Sequence, residues 1–439
     1  MKVLVTTRVL ATGSTSEGTC TVKFCNLVAR RGHEVICLNG DDSLPSGPLS
    51  WLPDCTIVAL PGEATSPARA PRWPLLDQKV DAARSYATGF PRALHRARRR
   101  WRNGLTQAIA DHRPDAIFVR AAGQDFSPHL AMTDVAERHQ GGGLAWVAHY
   151  HDPWPLSLYP DPYARRQGSI PWFQERANRR ILRSAGALTF PSARLRDWES
   201  GRSGVDLGDR AVVVAHEGVA DQHWEPLGTA DGPLTLVHAG TLNRQRDPQP
   251  LLDALTRRLR SGASRGGAPD ITLRLVGSLD PKLTGTTRWA ESVAYLQSRR
   301  ALELDGQRVS YAEAISVMRR ADVGVVVAVG RPESPFFPAK LADLVTLGGP
   351  LLVLAPSAST PADIIGLDHP GFVDIDQPDQ PDQLDRALDA LVAARRGGTL
   401  ARFGPPSNAI AAVAPDHIGA AIDDALARAR HSVSTGSRR

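Results

Sequence analysis

Short β-branched apolar runs alternate with helix-length segments twice over, on either side of one polar break, and few folds accommodate such a pattern. The first run, Val3 to Thr6, leads into the small-residue loop ATGSTSEGT and then a helical stretch carrying Val22, Cys25, Leu27 and Val28. That stretch ends in RRGHEV, where Gly32 reads as a C-cap before a strand at Val35 to Leu38. Further strands are expected at Thr56 to Leu60, Ala116 to Arg120, Leu144 to His149, Ala187 to Phe190 and Ala211 to Ala215. Around 216 to 233 the pattern breaks into HEGVADQHWEPLGTADGP, polar and rich in Gly and Pro, which reads as an interdomain linker. The alternation then restarts, with strands expected at Leu234 to Ala239, Ile271 to Val276, Val323 to Ala328 and Leu351 to Leu354. Helices are expected between them near 248 to 260, 311 to 320, 339 to 347 and 379 to 395, with a last one near 417 to 430. Such alternation predicts an α/β chain whose parallel sheets are covered by helices on both faces. Two units of this kind in tandem are expected to leave a cleft, with ligands at the carboxyl ends of the strands.

A chain of 439 residues, 42% of them hydrophobic, is long enough for two cores. The net charge of +6 points to an anionic partner, but only five of the 52 basic residues are lysine. That bias, with abundant alanine and proline, reads as codon usage, and no nucleic-acid partner is expected. Cys20, Cys25, Cys37 and Cys55 have spacings that suit neither a disulfide framework nor a zinc site, and read as reduced, mostly buried thiols. The N-terminal run MKVLVTTRVLATG is too polar for a signal peptide. No segment approaches the roughly 18 continuous apolar residues of a membrane span, so a cytoplasmic chain is expected, peripheral at the inner membrane face at most.

Three stretches carry chemistry. In RPESPFFPAKLADLVTLGGP the loop sits at a strand's carboxyl end, and a helix opening at Pro338 points its free N–H groups into the same space. Lys340 in the first turn opposes the helix dipole unless an anion binds there. Asp343, three residues on, is placed to meet a ribose diol; the alternative is a solvated Lys340–Asp343 pair. In HAGTLNRQRDPQPLLDAL a strand ends at Gly240, Asp247 reads as N-cap and Pro248 as the first helical residue, which sets Arg246 beside a helix N-terminus. In WVAHYHDPWPLSLY a strand ends in His149, His151 and Asp152, a group suited to orienting a hydroxyl or relaying a proton. Polar capping is its structural alternative; two or three ligands are too few for a confident metal site.

The ordered set ARRGHEV, PDAIFVR, HYHDPW, AHEGVADQHW, HAGTLNRQRDP, LRLVGS, MRRADVGVVV and SPFFPAKLADLVTLGGPLLVLAP resembles glycosyltransferases of the GT-B fold. The resemblance spans nearly the whole chain and is greatest to the retaining enzymes of glycosyltransferase family four. It implies two Rossmann-like domains facing a central cleft: an acceptor-side domain over 1–220 and a nucleotide-sugar domain over 221–415. It also implies a helix over 416–430 packing back on the first domain, before a disordered tail over 431–439. The implied activity is transfer of a hexose from a nucleotide-sugar, UDP- or GDP-linked, to an acceptor hydroxyl of a saccharide, lipid-linked or small molecule. Retention of configuration is implied, and neither a metal nor another cofactor is required.

By the same resemblance Lys340 and Arg246 match diphosphate-binding positions, and Asp343 falls where the family places a ribose-binding glutamate. His151, with Asp152 beside it, matches the catalytic histidine against the donor sugar. Gly240, Thr241, Arg244, Gly277, Val309, Glu333, Ser334, Phe336 and Phe337 complete the donor-binding set. Gly13, Ser14, Thr15, Ser16 and Gly18 match the glycine-rich loop on the acceptor side. Two departures stand out. The family often separates two glutamates by seven residues, whereas here Glu333 and Asp343 are separated by nine and residue 335 is proline. Thr241 stands where many members have arginine, so one phosphate contact is either lost or supplied by Arg244. The alternatives are a nucleotide-sugar 2-epimerase or hydrolase on the same fold, and a non-catalytic nucleotide-binding member. The loop ATGSTSEGT lacks the G-x-G-x-x-G spacing of a dinucleotide oxidoreductase. Finally, residues 91–110 place Leu94, Trp101, Leu105 and Ile109 on one helical face among six arginines. That helix either packs on the sheet or lies on an anionic membrane surface.

Overall fold

The structure, a computed structural model, describes residues 1–10, 16–40, 54–61, 74–120, 125–139, 143–155, 169–228, 232–262, 268–329 and 333–436. They form two compact units, Met1–Ala215 with Pro415–Arg439, and His216–Ala414.

The first unit runs β1 (Lys2–Thr7), α1 (Ser16–Arg30), β2 (Glu34–Asn39), β3 (Thr56–Ala59), α2 (Pro74–Thr88), α3 (Arg92–His112), β4 (Ala116–Val119), α4 (Ser127–Arg138), β5 (Trp146–His149), α5 (Ile170–Ser184), β6 (Ala187–Phe190), α6 (Ala193–Ser203) and β7 (Ala211–Val213). The second runs β8 (Leu234–Ala239), α7 (Gln249–Arg260), β9 (Ile271–Val276), α8 (Pro281–Thr284), α9 (Thr287–Ser298), β10 (Leu302–Asp305), α10 (Tyr311–Arg320), β11 (Val323–Val327), α11 (Ala339–Leu347), β12 (Leu351–Ala355), α12 (Thr360–Ile365), β13 (Phe372–Asp374), α13 (Gln380–Arg396) and α14 (Ser407–Ala412). A final helix, α15 (Pro415–Gly436), belongs to the first unit.

Both sheets are parallel, and both reverse direction at the same place. Their orders are β3-β2-β1-β4-β5-β6-β7 and β10-β9-β8-β11-β12-β13. The chain therefore steps to one side of its first strand and then returns to the other, leaving switch points between β1 and β4 and between β8 and β11. A doubly wound sheet offers its ligand crevice at that point.

The β1 side chains show why such strands read as continuous apolar runs. Leu4 packs into a cluster with Ile36, Ile117 and Trp146, while Val3 and Val5 pack on the other face with Val28, Val35 and Phe118. Alternation by two sends neighbours to opposite faces, and helices cover both. α15 closes the second of these faces. Ile418, Ile422, Ala425, Leu426 and Ala429 form its buried stripe, and Gly186 lets it come close, since a Cβ there would lie 3.1 Å from Ala429 Cα. Asp423 accepts from Arg31 and pairs with His33 at 2.7 and 2.8 Å. The helix continues past the expected end near 430 through Gly436.

Three further details differ from the sequence reading. The stretch expected as a linker belongs to the second unit from His216 onward. Trp224 N–H donates to Leu347 O at 2.9 Å and Glu225 N–H to Arg319 O at 2.8 Å, so its backbone is strapped to α11 and α10. Two strands, β10 and β13, escaped the pattern because they are the sheet's edges. LELD carries charge that a central strand would bury, and FVD is too short to show a period. α7 opens at Gln249 rather than Pro248, although Asp247 Oδ1 still accepts from the Gln249 N–H at 2.9 Å. Among the described residues no helix is long and apolar enough to cross a membrane.

Candidate functional site

At the switch point of the second sheet, β8 ends in His238 and Ala239, and the chain turns at Gly240 with φ +143°. A side chain here is strained by that φ, and it would also have to displace the end of Lys340, whose Nζ would lie 2.6 Å from a Cβ at residue 240. The group that lies closest to this position is Lys340. Lys340 Nζ lies 2.6 Å from His238 Nε2. His238 Nδ1 is 3.1 Å from the Val325 carbonyl, which only accepts, so Nδ1 carries the proton and Nε2 receives a hydrogen bond from the lysine. Burial, and then the lysine and Arg246 charges, hold His238 well below the usual imidazole range and neutral. Burial and the Arg246 charge push Lys340 down in the same way.

Arg246 completes a pair of cations that repel each other and are set beside an open helix end. Its backbone N–H is fixed by Asn243 Oδ1 at 2.9 Å, while its buried Nε has no partner among the described residues. Pro338 opens α11 with no side-chain cap, so the first N–H groups of that helix have no intrahelical partner. Lys340 bonds to His238 rather than forming a solvated pair with Asp343. Asp343 is 4% exposed, and its Oδ1 accepts from the Tyr311 hydroxyl at 2.7 Å.

The other expected donor residues differ in burial and in partners. Gly277, φ +121°, packs backbone to backbone against Gly240, with a Cβ position 2.6 Å from Gly240 O. Thr241 Oγ1 lies 2.9 Å from Ser278 Oγ on the surface. Arg244 is exposed, its Nε 3.4 Å from Lys282 O. Val309 is half-buried, just before the capping box of Ser310 and Glu313 that starts α10. Glu333 is half-buried in the loop. Ser334 is fully buried, and its Oγ has no partner among the described residues. Phe336 and Phe337 are buried, the latter 5.0 Å from the His216 ring. His238 escaped the sequence reading; its one signal was its place in the penultimate position of a strand followed by glycine.

The first sheet's switch point carries a second polar group. Of the acceptor-side loop, Gly13, Ser14 and Thr15 lie outside the described residues. Ser16 begins α1, and Gly18 is buried in its first turn. Between them Glu17 is 4% exposed, and neither carboxylate oxygen has a partner among the described residues. Burial is the main cause that lifts its pKa to about 8; Asp152 and Asp125 add to the rise, and Arg120 and Arg8 oppose it. Arg120, 3% exposed at the end of β4, is locked by its backbone to Thr6 Oγ1 and stacks 4.6 Å from the Phe24 ring centre. Its Nε also has no partner among the described residues. His151 and Asp152 follow β5, both half-buried. Burial lowers the His151 pKa, Asp152 opposing and Arg120 assisting. His149 is held instead in the core, Nδ1 3.0 Å from Thr189 Oγ1. Glu17 and Arg120 were present in the quoted stretches, but only the fold sets them against His151 and Asp152.

The helix expected over 91–110 spends its apolar face inside the unit. Trp101 and Leu105 are buried, with Leu94 and Ile109 packed against the same cluster. Arg98 pairs with Asp134 at 2.6 Å, and Arg100 donates to Leu60 O and Pro61 O. The remaining side contributes to a depression of about 590 Å³ lined by six arginines, including Arg84, Arg99, Arg102 and Arg180, against Asp134 and Glu137.

No protein-family model matches this sequence, and no curated protein matches it. Solved structures do. The apo form of the lipopolysaccharide outer core galactosyltransferase WaaB superposes with a TM-score of 0.56 at 14% identity, covering 97% of this chain and 99% of that one. A trehalose-6-phosphate protein from E. coli bound with UDP-2-fluoro glucose gives 0.59 at 12% identity, over 97% and 99%. WaaG, a glycosyltransferase involved in lipopolysaccharide biosynthesis, gives 0.56 at 13%, over 97% and 98%. At these identities the likeness is one of architecture: the chain has the GT-B fold, two Rossmann-like α/β units in succession.

Proposed function

We propose that this chain is a retaining glycosyltransferase of the hexosyltransferase type, which moves a sugar from a nucleoside-diphosphate sugar to an acceptor hydroxyl. The observation that carries the reading is the pair Lys340 and Arg246. Two cations are gathered at an uncapped helix N-terminus, at the switch point of a parallel sheet, with a neutral histidine rather than a carboxylate bonded to the lysine. A diphosphate supplies the missing negative charge, and the same cations and N–H groups stabilise it as it leaves. That charge is fixed in the protein, so no metal is required. Asp343, oriented by Tyr311, is assigned to the ribose hydroxyls, and Glu333 to the donor sugar.

The acceptor is assigned to the first unit, whose Glu17, Arg120, His151 and Asp152 offer both donors and acceptors to a polyol. Retention needs no protein nucleophile. The acceptor hydroxyl attacks on the face the leaving group vacates, and the departing phosphate oxygen takes its proton. One structure of the same fold is bound with a UDP-sugar analogue, which favours a uridine or related diphosphate as the first donor class to try. The arginine-lined depression beside α3 suits an anionic acceptor or an acidic membrane surface, held by charge alone because the apolar face of α3 is already used.

The test is thermal stabilisation of the purified chain by UDP, GDP, ADP and TDP, followed by NMR of the product anomer. Binding only to the folded state adds about 2.7 kcal/mol at a hundredfold excess over Kd. Stabilisation by one diphosphate, then transfer with retention and undiminished by a chelator, supports the proposal. An inverted product overturns retention, and binding without sugar loss from any donor favours the non-catalytic reading.

A further inference from the structure

Three of the four cysteines, scattered in sequence, meet in the first unit. Cys25 lies on α1, Cys37 on β2 and Cys55 just before β3, and their sulfur atoms are all within 4.8 Å of one another. The register explains the meeting. Cys37 pairs with Ile57, so residue 55, two positions earlier on the neighbouring strand, projects from the same face as Cys37. α1 covers that face with Cys25 in the same apolar cluster. Cys25 and Cys37 are buried, whereas Cys55 is half-buried just ahead of the edge strand β3.

Zinc–thiolate bonds of about 2.3 Å in tetrahedral array set sulfurs about 3.8 Å apart. The observed spacing needs only small side-chain adjustments to reach that geometry. Charge is accounted for as well. Three thiolates around a divalent ion leave one net negative charge in an apolar setting, and Arg120 is a buried cation within electrostatic reach of Cys25 and Cys37. The half-buried side at Cys55 leaves the fourth position to water. We propose that Cys25, Cys37 and Cys55 form a three-thiolate site for a thiophilic divalent cation of the zinc type. The ion binds as the three thiols release their protons, and it ties α1 to the edge strand β3. The inference is independent of the glycosyltransferase reading.

The experiment uses the reduced full-length chain without oxygen, with Co(II) as the probe. One equivalent of Co(II) should give thiolate-to-cobalt charge-transfer and tetrahedral d–d absorption, and Zn(II) should displace it. Both bands should vanish in Cys55→Ala and persist in Cys20→Ala, and Zn(II) should raise the melting temperature of the wild type and of Cys20→Ala but not of Cys55→Ala. Should Cys55→Ala fail to fold, alkylation of the wild type decides: Zn(II) must protect three of the four thiols. Absence of the charge-transfer band at stoichiometric Co(II), an undiminished band in folded Cys55→Ala, or alkylation unaffected by Zn(II) would each overturn the proposal.

Discussion

Replacing Lys340 with methionine should weaken ligand binding without a matching loss of stability. In the free protein the ammonium is driven below its ordinary pKa by burial and by Arg246, so the folded state resists protonation that the unfolded chain accepts. The penalty is complete below the folded pKa and is relieved as pH rises toward the unfolded value near 10.4. Methionine removes that penalty, but strands His238 Nε2, a loss of about 1 to 3 kcal/mol for an unsatisfied buried acceptor. The two terms offset, and stability should be unchanged or higher as pH falls. Affinity has no such compensation. A hydrogen bond between a charged donor and phosphate is worth about 1.5 to 3 kcal/mol, so the nucleoside diphosphate should bind about ten- to a hundredfold more weakly. Calorimetry in buffers of different ionisation enthalpy adds a second readout, because the diphosphate raises the lysine's pKa and draws in a proton. Wild type should therefore take up protons on binding above the pKa of the free lysine, and Lys340→Met should not. Affinity within twofold of wild type, or unchanged proton uptake, would refute the placement of the diphosphate at Lys340.

The two glycines should separate strain from ligand loss. Gly240→Ala meets only the far end of a lysine, which can move, so urea unfolding should show about 1 to 3 kcal/mol from its φ of +143° alone, together with weaker diphosphate binding as Lys340 is pushed from His238. Gly277→Ala meets the Gly240 carbonyl carbon at 2.9 Å and its oxygen closer still; backbone cannot step aside, and the stability loss should exceed that of Gly240→Ala. Glu17 has a raised folded pKa of about 8, so its contribution is complete below about pH 4.5 and is lost as pH rises through 8. Glu17→Gln should therefore gain on wild type across that window, by at most about 1.4 kcal/mol per pH unit; parallel stability profiles for the two would show that Glu17 titrates normally.

The central strands were legible because a strand buried on both faces needs several β-branched or aliphatic residues in succession, as in VGVVV, whereas an edge strand such as LELD does not. The places of Lys340 and Gly240 in the backbone were legible for a related reason: a helix start or a strand end is written in adjacent residues, whereas Gly277 entered only through the resemblance. Their partners were not. His238 reaches Lys340 across 102 residues, because the switch point joins the end of one strand to the helix that follows another. The same holds for Glu17 against Arg120 and Asp152, and for the three thiols, each carried by a different element. The strap over 216–228 was misread as a linker because polar, proline-rich composition shows that a segment lacks regular structure, not where its backbone groups find partners; Leu347 and Arg319 supply them. In a doubly wound sheet this division is systematic. Each βα element encodes its own turn, while the polar contacts arise where two such elements of one sheet meet, so a local reading finds Gly240 and the lysine but not the neutral histidine that holds the lysine in place.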